Sequence, residues 1–275
     1  MGHTNSVQLQ NTAAGSFAAA WSDFNAAIKR HEVWAALAWQ DIRQKYKRSV
    51  LGPFWITLTM LVTISGMGPL YGSLFKMDIR DFIPYLALGI ITWGLLSSLI
   101  LEGCVTFLGS DSLIRSVRLP MGTYVFRMIY RNVLTFAHNL AAYIPVILFF
   151  GITPQWRWLA AIPGVLIIIL TAIPLSFILG IFCARFRDMQ QIIGSIVQLV
   201  FFMTPIFWKP DLLREHAYLA NFNPLYLFIE TIRGPIYGYI PGVNTYLGVC
   251  GVMILLYVLA IPLFVKYRQR IAFWV

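Results

Sequence analysis

The sequence predicts an all-α, polytopic membrane protein, and two observations lead to that prediction. Of the 275 residues, 59% are hydrophobic and only 12% are charged, whereas a soluble globular domain carries about 25% charged residues. Six stretches are also apolar over enough length to cross the bilayer core, which takes about 20 helical residues. The predicted fold therefore has six transmembrane helices, preceded by an N-terminal amphipathic interfacial helix.

The six predicted spans lie near residues 53–75, 82–108, 120–150, 158–184, 189–208 and 245–265. Residues 217–240 form a seventh, weaker candidate, because they contain Glu230, Arg233 and two prolines among their apolar residues. Such a segment favours a re-entrant or interfacial hairpin, in which protein or water satisfies the freed backbone groups.

Charge placement supports six spans with both chain ends in the cytoplasm. This arrangement puts 15 of the 21 basic residues and five acidic residues inside, against six basic and five acidic residues outside. The inside excess agrees with the positive-inside rule, whereas a seventh span would move the basic C-terminal segment outside. The predicted organisation is a flexible cytoplasmic N-terminus (1–30), an interfacial helix (31–52), a transmembrane domain (53–268) and a cytoplasmic tail (269–275).

The interfacial helix is predicted from an apolar stripe beside a basic run. The stripe consists of Ala35, Trp39, Ile42, Tyr46 and Val50, which recur at helical spacing. The polar face carries Asp41 and several basic side chains. Such a helix lies at head-group level, with aromatic rings in the interface and cations toward anionic lipid. The alternative is an ordinary flank of the first span that only sets its orientation.

No enzyme motif is present in the sequence. It contains no Walker A sequence, HExxH or GxSxG, so the chain has no known means of hydrolysing ATP itself. A membrane glycosyltransferase or phosphotransferase would need convergent carboxylates or a metal site, and neither is evident. The three cysteines lie in apolar stretches and are interpreted as buried structural thiols.

Glu102 is the only acidic residue inside a predicted span. A carboxylate at membrane depth is costly and is therefore a functional candidate. It either lines a polar pathway or forms a structural ion pair with Arg127 or Arg131, near the cytoplasmic end of the third span.

The cytoplasmic loop from Gly109 to Pro120 predicts a short amphipathic helix. Ser110 or Asp111 is suited to cap it. Leu113, Ile114 and Val117 give it an apolar stripe, and Arg115 and Arg118 give it charge. A capped amphipathic helix between two spans suits docking into a cleft of another protein, although a plain polar turn is the alternative.

Four segments together resemble the type-2 ABC transporter permeases that export bacterial surface polysaccharides. They are LAWQDIRQKYKRSVLGPFW, SDSLIRSVRLP, ARFRDMQQIIGSIVQLVFFMTPIFW and NFNPLYLFIETIRGPIYG, which occur in the order of that family between Trp34 and the C-terminus. The pattern is most like that of the O-antigen exporters, with capsule and teichoic-acid permeases nearby. A small-molecule exporter of the same architecture is a further alternative.

The resemblance implies a homodimeric permease in the bacterial inner membrane, with two ATPase subunits that bind ATP and magnesium, so this chain needs no cofactor. Its substrate would be a lipid-linked polysaccharide. The implied ATPase-coupling residues are Ser110, Asp111, Ser112, Leu113, Ile114, Arg115 and Arg118. The implied membrane-interface residues, which would help to admit the lipid head, are Trp39, Arg43, Lys45, Tyr46, Lys47 and Arg48.

The resemblance also places a re-entrant periplasmic hairpin at the exit of the pathway. The implied gate residues are Asn223, Pro224, Tyr226, Glu230 and Arg233. Aromatic side chains are abundant there, and they occur at any membrane interface. A channel for a hydrophilic polymer would nevertheless need wetted walls on which sugar rings stack, and we expect Phe201, Phe202 and Tyr226, with Glu102, to contribute to it.

Overall fold

The computed structural model describes residues 17–275, and every regular element in that range is helical. The α-helices are α1 (Phe17–Lys29), α2 (His31–Lys45), α3 (Phe54–Leu74), α4 (Ile79–Val105), α5 (Asp111–Ser116), α6 (Met121–Ala141), α7 (Tyr143–Phe150), α8 (Ala161–Arg185), α9 (Met189–Met203), α10 (Pro224–Tyr237), α11 (Val243–Tyr267) and α12 (Ile271–Trp274). The 3₁₀ segments are Leu108–Ser110, Trp156–Ala160 and Pro210–Phe222.

Five helical stretches are long and apolar enough to cross a membrane, and they coincide with five of the predicted spans. They are Phe54–Leu74, Ile79–Val105, Met121–Phe150, Trp156–Arg185 and Val243–Tyr267. The third consists of α6 followed at once by α7. Pro145 lies in the first turn of α7, where the N–H that proline lacks has no helical partner to lose. The protein is therefore an all-α, multi-pass membrane protein.

The predicted fifth span is the exception. α9 has 15 residues and ends at Met203, short of the predicted end at Trp208. The backbone turns extended at Thr204, as expected for a residue that precedes a proline. A helix of this length covers about 22 Å, which is less than the hydrocarbon core. The count of six spans stays a prediction.

α10 returns from membrane depth toward the surface. Its first residues, Pro224 and Leu225, face Leu96 and Ile100 in the second half of α4 across an apolar cavity. Its last turn reaches the beginning of α4, where the Tyr237 hydroxyl donates to the carbonyl of Asp81. Residues 228–236 are all buried. Protein thus surrounds the polar residues of α10, as a re-entrant segment requires.

The N-terminal region departs from the flexible segment predicted for residues 1–30. Residues 1–16 lie outside the described range, but residues 17–29 form α1. Ala20 and Ala27 are buried, and Ala27 packs against α6 at Gly122, where a Cβ would come within 2.8 Å. The sequence prediction interpreted these small residues as a sign of flexibility. In the structure they instead allow α1 to pack closely against α6.

α2 is shorter than the predicted 31–52. It ends at Lys45, and residues 46–53 form turns in which Arg48 and Gly52 have positive φ. Of the predicted stripe, Ile42 is buried, as is Ala38 beside it, whereas Trp39 and Val50 are exposed. Trp34 packs on Phe126 and Tyr130 of α6, with ring centroids 5.9 and 5.4 Å away.

Hydrogen bonds join segments that are distant in the sequence at each of the two ends of the bundle. We call one the basic end, where Arg268 donates to the carbonyl of Ala19 and Arg115 donates to that of Val275. At the opposite end, Arg157 donates to the carbonyl of Gly238. The basic end carries residues 43–48, 111–118, 185–187 and 266–270, which the charge bias assigns to the cytoplasm.

Candidate functional site

Four charged side chains at the basic end form one network between α2, α4 and α6. Asp41 accepts hydrogen bonds from Arg127 at 2.5 and 2.8 Å and from Arg131 at 2.6 Å. Arg131 also donates to Glu102 at 2.7 Å, and Asn132 donates to the same carboxylate oxygen at 2.7 Å. The network therefore joins α2 to the second and third spans.

The network bears on two sequence predictions. Glu102 forms the ion pair with Arg131 that was one of its two predicted roles. Asp41, assigned to the polar face, points instead into the protein toward α6, because two guanidinium groups lie there. Burial raises the pKa of the Asp41 carboxyl, but Arg127 and Arg131 lower it more, so the pKa lies below its ordinary value.

The predicted membrane-interface residues lie mostly on the protein surface at the basic end. Arg43, Lys45, Lys47 and Arg48 are all exposed, and Trp39 is half exposed. Tyr46 is partly buried, and burial raises the pKa of its hydroxyl. Exposed cations beside an exposed tryptophan are typical of the membrane–water interface.

The short helix predicted between Gly109 and Pro120 is present as α5, with partly different internal contacts. Ser110 occupies the N-cap position without a side-chain cap, because its hydroxyl donates back to the carbonyl of Thr106. The Asp111 carboxylate instead accepts from the Ser112 N–H. Leu113 and Ile114 are partly buried against the core, so the outward surface of α5 consists mainly of polar groups.

Two arginines of this loop have different environments. Arg115 donates to the main-chain carbonyl of Val275, next to α12, whose Ile271 is buried. Arg118 is exposed and has no ion pair among residues 17–275. Both predicted coupling arginines are thus exposed, and Arg115 in addition joins the loop to the C-terminal segment.

The opposite end contains a buried cluster around Arg233 of α10. Its guanidinium is 0% exposed and donates to Glu230 and, at 2.8 Å, to the carbonyl of Pro205. The guanidinium carbon lies 3.9 Å from the centroid of the Tyr85 ring. The Tyr239 hydroxyl also donates to Glu230, and burial raises the pKa of that hydroxyl.

Beside this cluster lies an open cleft that we call the tyrosine cleft. It encloses about 550 Å³, and its lining includes Tyr85, Lys209, Asp211, Tyr218, Asn221, Tyr226, Tyr237 and Tyr239. The Lys209 ammonium lies 5.4 Å from the Tyr85 ring centroid and 5.6 Å from that of Tyr237. Ring faces, hydroxyls and one amide at a wet surface are suited to stack on and hydrogen-bond a polar ring such as a sugar.

The other predicted channel and gate residues have identifiable contacts. Asn223 caps α10 by accepting from the N–H groups of Leu225 and Tyr226, and Pro224 follows as the first helical residue. Phe201 packs on Trp93, with ring centroids 5.5 Å apart, whereas Phe202 is more than half exposed. The structure thus groups Tyr226, Glu230 and Arg233, while Phe201 and Phe202 belong to a separate aromatic cluster.

Sequence reasoning did not select Tyr85 or Lys209. Tyr85 lies far from Arg233 in the chain and carries no motif, and only the packing of α4 against α10 brings the two together. Asp23 was also missed as an intrachain contact, although its carboxylate accepts from the Met121 N–H at 3.1 Å. Pro120 signals that a helix starts there, but the sequence does not reveal that the acceptor for the Met121 N–H comes from α1.

These features define a helical membrane protein with a charged network at one end of the bundle and a polar, tyrosine-lined cleft at the other. Among residues 17–275, no three His, Cys, Asp or Glu side chains are grouped so that they could hold a metal ion. Residues 32–237 match the family described as ABC-2 type transporter. The match covers most of the chain, and the protein belongs to that family.

Two relatives show how far the similarity extends. The chain is 24% identical over 200 residues to an O-antigen export system permease protein RfbA from Klebsiella pneumoniae, covering 70% of this chain and 76% of that protein. It is 23% identical over 246 residues to an O-antigen export system permease protein RfbA from Myxococcus xanthus, covering 86% and 93% respectively.

Proposed function

We propose that this chain is the permease subunit of an ABC exporter that moves a lipid-linked surface polysaccharide, of the O-antigen type, across the bacterial inner membrane. Two copies would form the conduit, with the basic end and both termini in the cytoplasm. Membership of the ABC-2 family and the names of the relatives support this proposal. The tyrosine cleft is the observation that favours a glycan, since a polymer of sugars needs stacking surfaces that it can leave again.

Energy would come from a separate ATPase subunit that docks on α5. The support is the position of α5 between two spans, its exposed polar surface and the exposed Arg118. Exposed Trp39 and the basic residues after it would admit the phosphate-bearing lipid head at the membrane surface. The passage of one polymer through a dimer would require the tyrosine cleft of each copy to face the shared pathway.

The glycan part of the proposal is tested by Tyr218→Ala, because Tyr218 lines the cleft, is more than half exposed and lies outside the Arg233 hydrogen bonds. In a strain that depends on this permease, we expect surface O-antigen to fall several-fold at equal permease abundance, because the variant removes an aromatic face on which a sugar ring would stack. Phe149→Ala removes a ring that lies outside the cleft and is even more exposed than Tyr218, and it is the control. Equal export by both variants would reject a glycan pathway along the cleft.

The docking part is tested by Arg118→Glu, with Arg80→Glu at the opposite end as the control. Both side chains are exposed, so neither change removes packing. We expect R118E to co-purify with less ATPase subunit and to lose glycolipid-stimulated ATP hydrolysis, and R80E to retain both. Normal association of R118E would place the docking surface elsewhere.

A further inference from the structure

A second cleft lies at the basic end, between the last turns of α8 and α11, and no role proposed above uses it. It encloses about 390 Å³. Its walls include the apolar side chains of Phe182 and Leu263, and its mouth carries Arg185 and Arg270. Both spans end here, at Arg185 and Tyr267, so the mouth lies at the level where a bilayer changes from hydrocarbon to head groups.

The two guanidinium groups at the mouth have no acidic partner. Arg185 and Arg270 are exposed, and neither takes part in an ion pair among residues 17–275. The nearest acidic residue along the chain, Asp188, also forms none within that range. Basic neighbours such as Lys266 add to the positive potential.

Arg185 is held in place by aromatic rings. Its guanidinium carbon lies 5.6 Å from the centroid of Trp274 and 5.7 Å from that of Phe186. Trp274 in turn packs on Tyr267, with ring centroids 5.6 Å apart. A guanidinium oriented by rings keeps its N–H donors free for a phosphate and loses little conformational freedom on binding it.

The cleft thus combines an anion-binding mouth with an apolar interior. Phe182 is nearly half exposed, and Leu259, one turn before Leu263 on α11, is similarly exposed, so an apolar surface continues from the cleft along both spans. A free phosphate would use only the mouth, whereas a phospholipid would use both parts. Basic pockets between transmembrane helices on the cytoplasmic side are known to suit anionic head groups.

We propose that this cleft binds an anionic membrane phospholipid, with its phosphate on Arg185 and Arg270 and an acyl chain along Phe182 and Leu263. The site is adjacent to the docking helix, because Val275, which follows Trp274, accepts the hydrogen bond from Arg115. The bound lipid would therefore influence where α5 lies, through Trp274, Val275 and Arg115. This inference is independent of the exported substrate and requires only that the chain spans a membrane.

The test is native mass spectrometry of the purified full-length protein, titrated with dioleoylphosphatidylglycerol or with dioleoylphosphatidylcholine. We expect the wild type to retain the anionic lipid and not the zwitterionic one. The double variant R185Q/R270Q should bind the anionic lipid about ten-fold or more weakly, because charge-assisted hydrogen bonds are lost. If the pair impairs folding, R270Q alone should still show weaker binding.

The matched control is R118Q/R187Q, which removes two exposed arginines at the same end but outside the cleft. It should retain wild-type lipid binding. An equal loss in this control would show general attraction of anionic lipid and overturn the site. If inorganic phosphate at micromolar concentration prevented the wild type from retaining lipid, the cleft would be a free-anion site instead. A wild type that retained no anionic lipid would also overturn the proposal.

Discussion

The two polar clusters of the bundle use the same chemistry at very different degrees of burial. At the opposite end, Arg233 is 0% exposed and its partners surround it on three sides. At the basic end, the side chains of Arg127, Arg131 and Asp41 are 20%, 30% and 16% exposed. The first arrangement is enclosed, whereas water or lipid phosphate reaches the second.

This difference indicates different roles. A buried charge that loses its partner has no solvent to replace it, so the Arg233 cluster is a permanent part of the fold. A partly exposed guanidinium exchanges one anion for another at small cost. The network of Asp41 is therefore suited to hold α2 against the bundle and to release it, and the following predictions test that contrast.

The largest effect is expected for Arg233→Leu. This change leaves Glu230 buried without a cation, and breaking a buried pair in this way costs roughly 3–5 kcal/mol. The free energy of unfolding, measured by SDS titration in mixed micelles, should fall by about that amount. The double variant E230Q/R233L removes both charges and should recover part of the loss. Wild-type stability of R233L would show that the enclosed cluster contributes no more than an exposed pair.

A smaller effect is expected for Asp41→Asn, about 1–2 kcal/mol, because both arginines remain accessible to water. The pKa of Asp41 is lower in the folded protein, so its stabilising contribution is present above the ordinary pKa of about 3.9. It is lost as the pH falls through the folded value. The stability difference between wild type and D41N should be constant from about pH 5 to 9 and should shrink below about pH 4. A difference that instead disappeared near neutral pH would contradict the assignment.

The smallest effect is expected for Asp23→Asn. Burial raises the pKa of Asp23, so its ionised form is disfavoured in the fold and stability falls as the pH rises from about 3.9 through the folded value. Asparagine keeps an oxygen for the Met121 N–H and removes the charge. We expect D23N to unfold within about 0.5 kcal/mol of wild type, whereas D23A, which loses the acceptor, should be about 1 kcal/mol less stable. A large loss in D23N would show that the charge, and not the acceptor, supports α6.

Hydropathy predicted most of the fold because an uncharged apolar run of about 20 residues matches the thickness of the bilayer core and is rarely found in a soluble helix. The Glu102–Arg131 pair was also predictable, since a carboxylate inside a span needs a cation at similar depth. Patterning could not orient Asp41, because helical spacing on α2 does not reveal that α6 presents two guanidinium groups. α1 was missed because its small and polar residues were interpreted as a flexible segment, although alanine is the strongest helix former. The tyrosine cleft combines residues from separate elements, and only the packing of α4 against α10 assembles it.

The enclosure of Arg233 has a consequence for biogenesis. A helix that carries Glu230 and Arg233 is a poor substrate for release into lipid by the insertion machinery. Tyr85 and Pro205, which contact the guanidinium, are both synthesised before it, and Glu230 lies one turn earlier in the same helix. The groups that contact this guanidinium therefore all precede it in the chain and are available when it emerges, and none of them belongs to the final span.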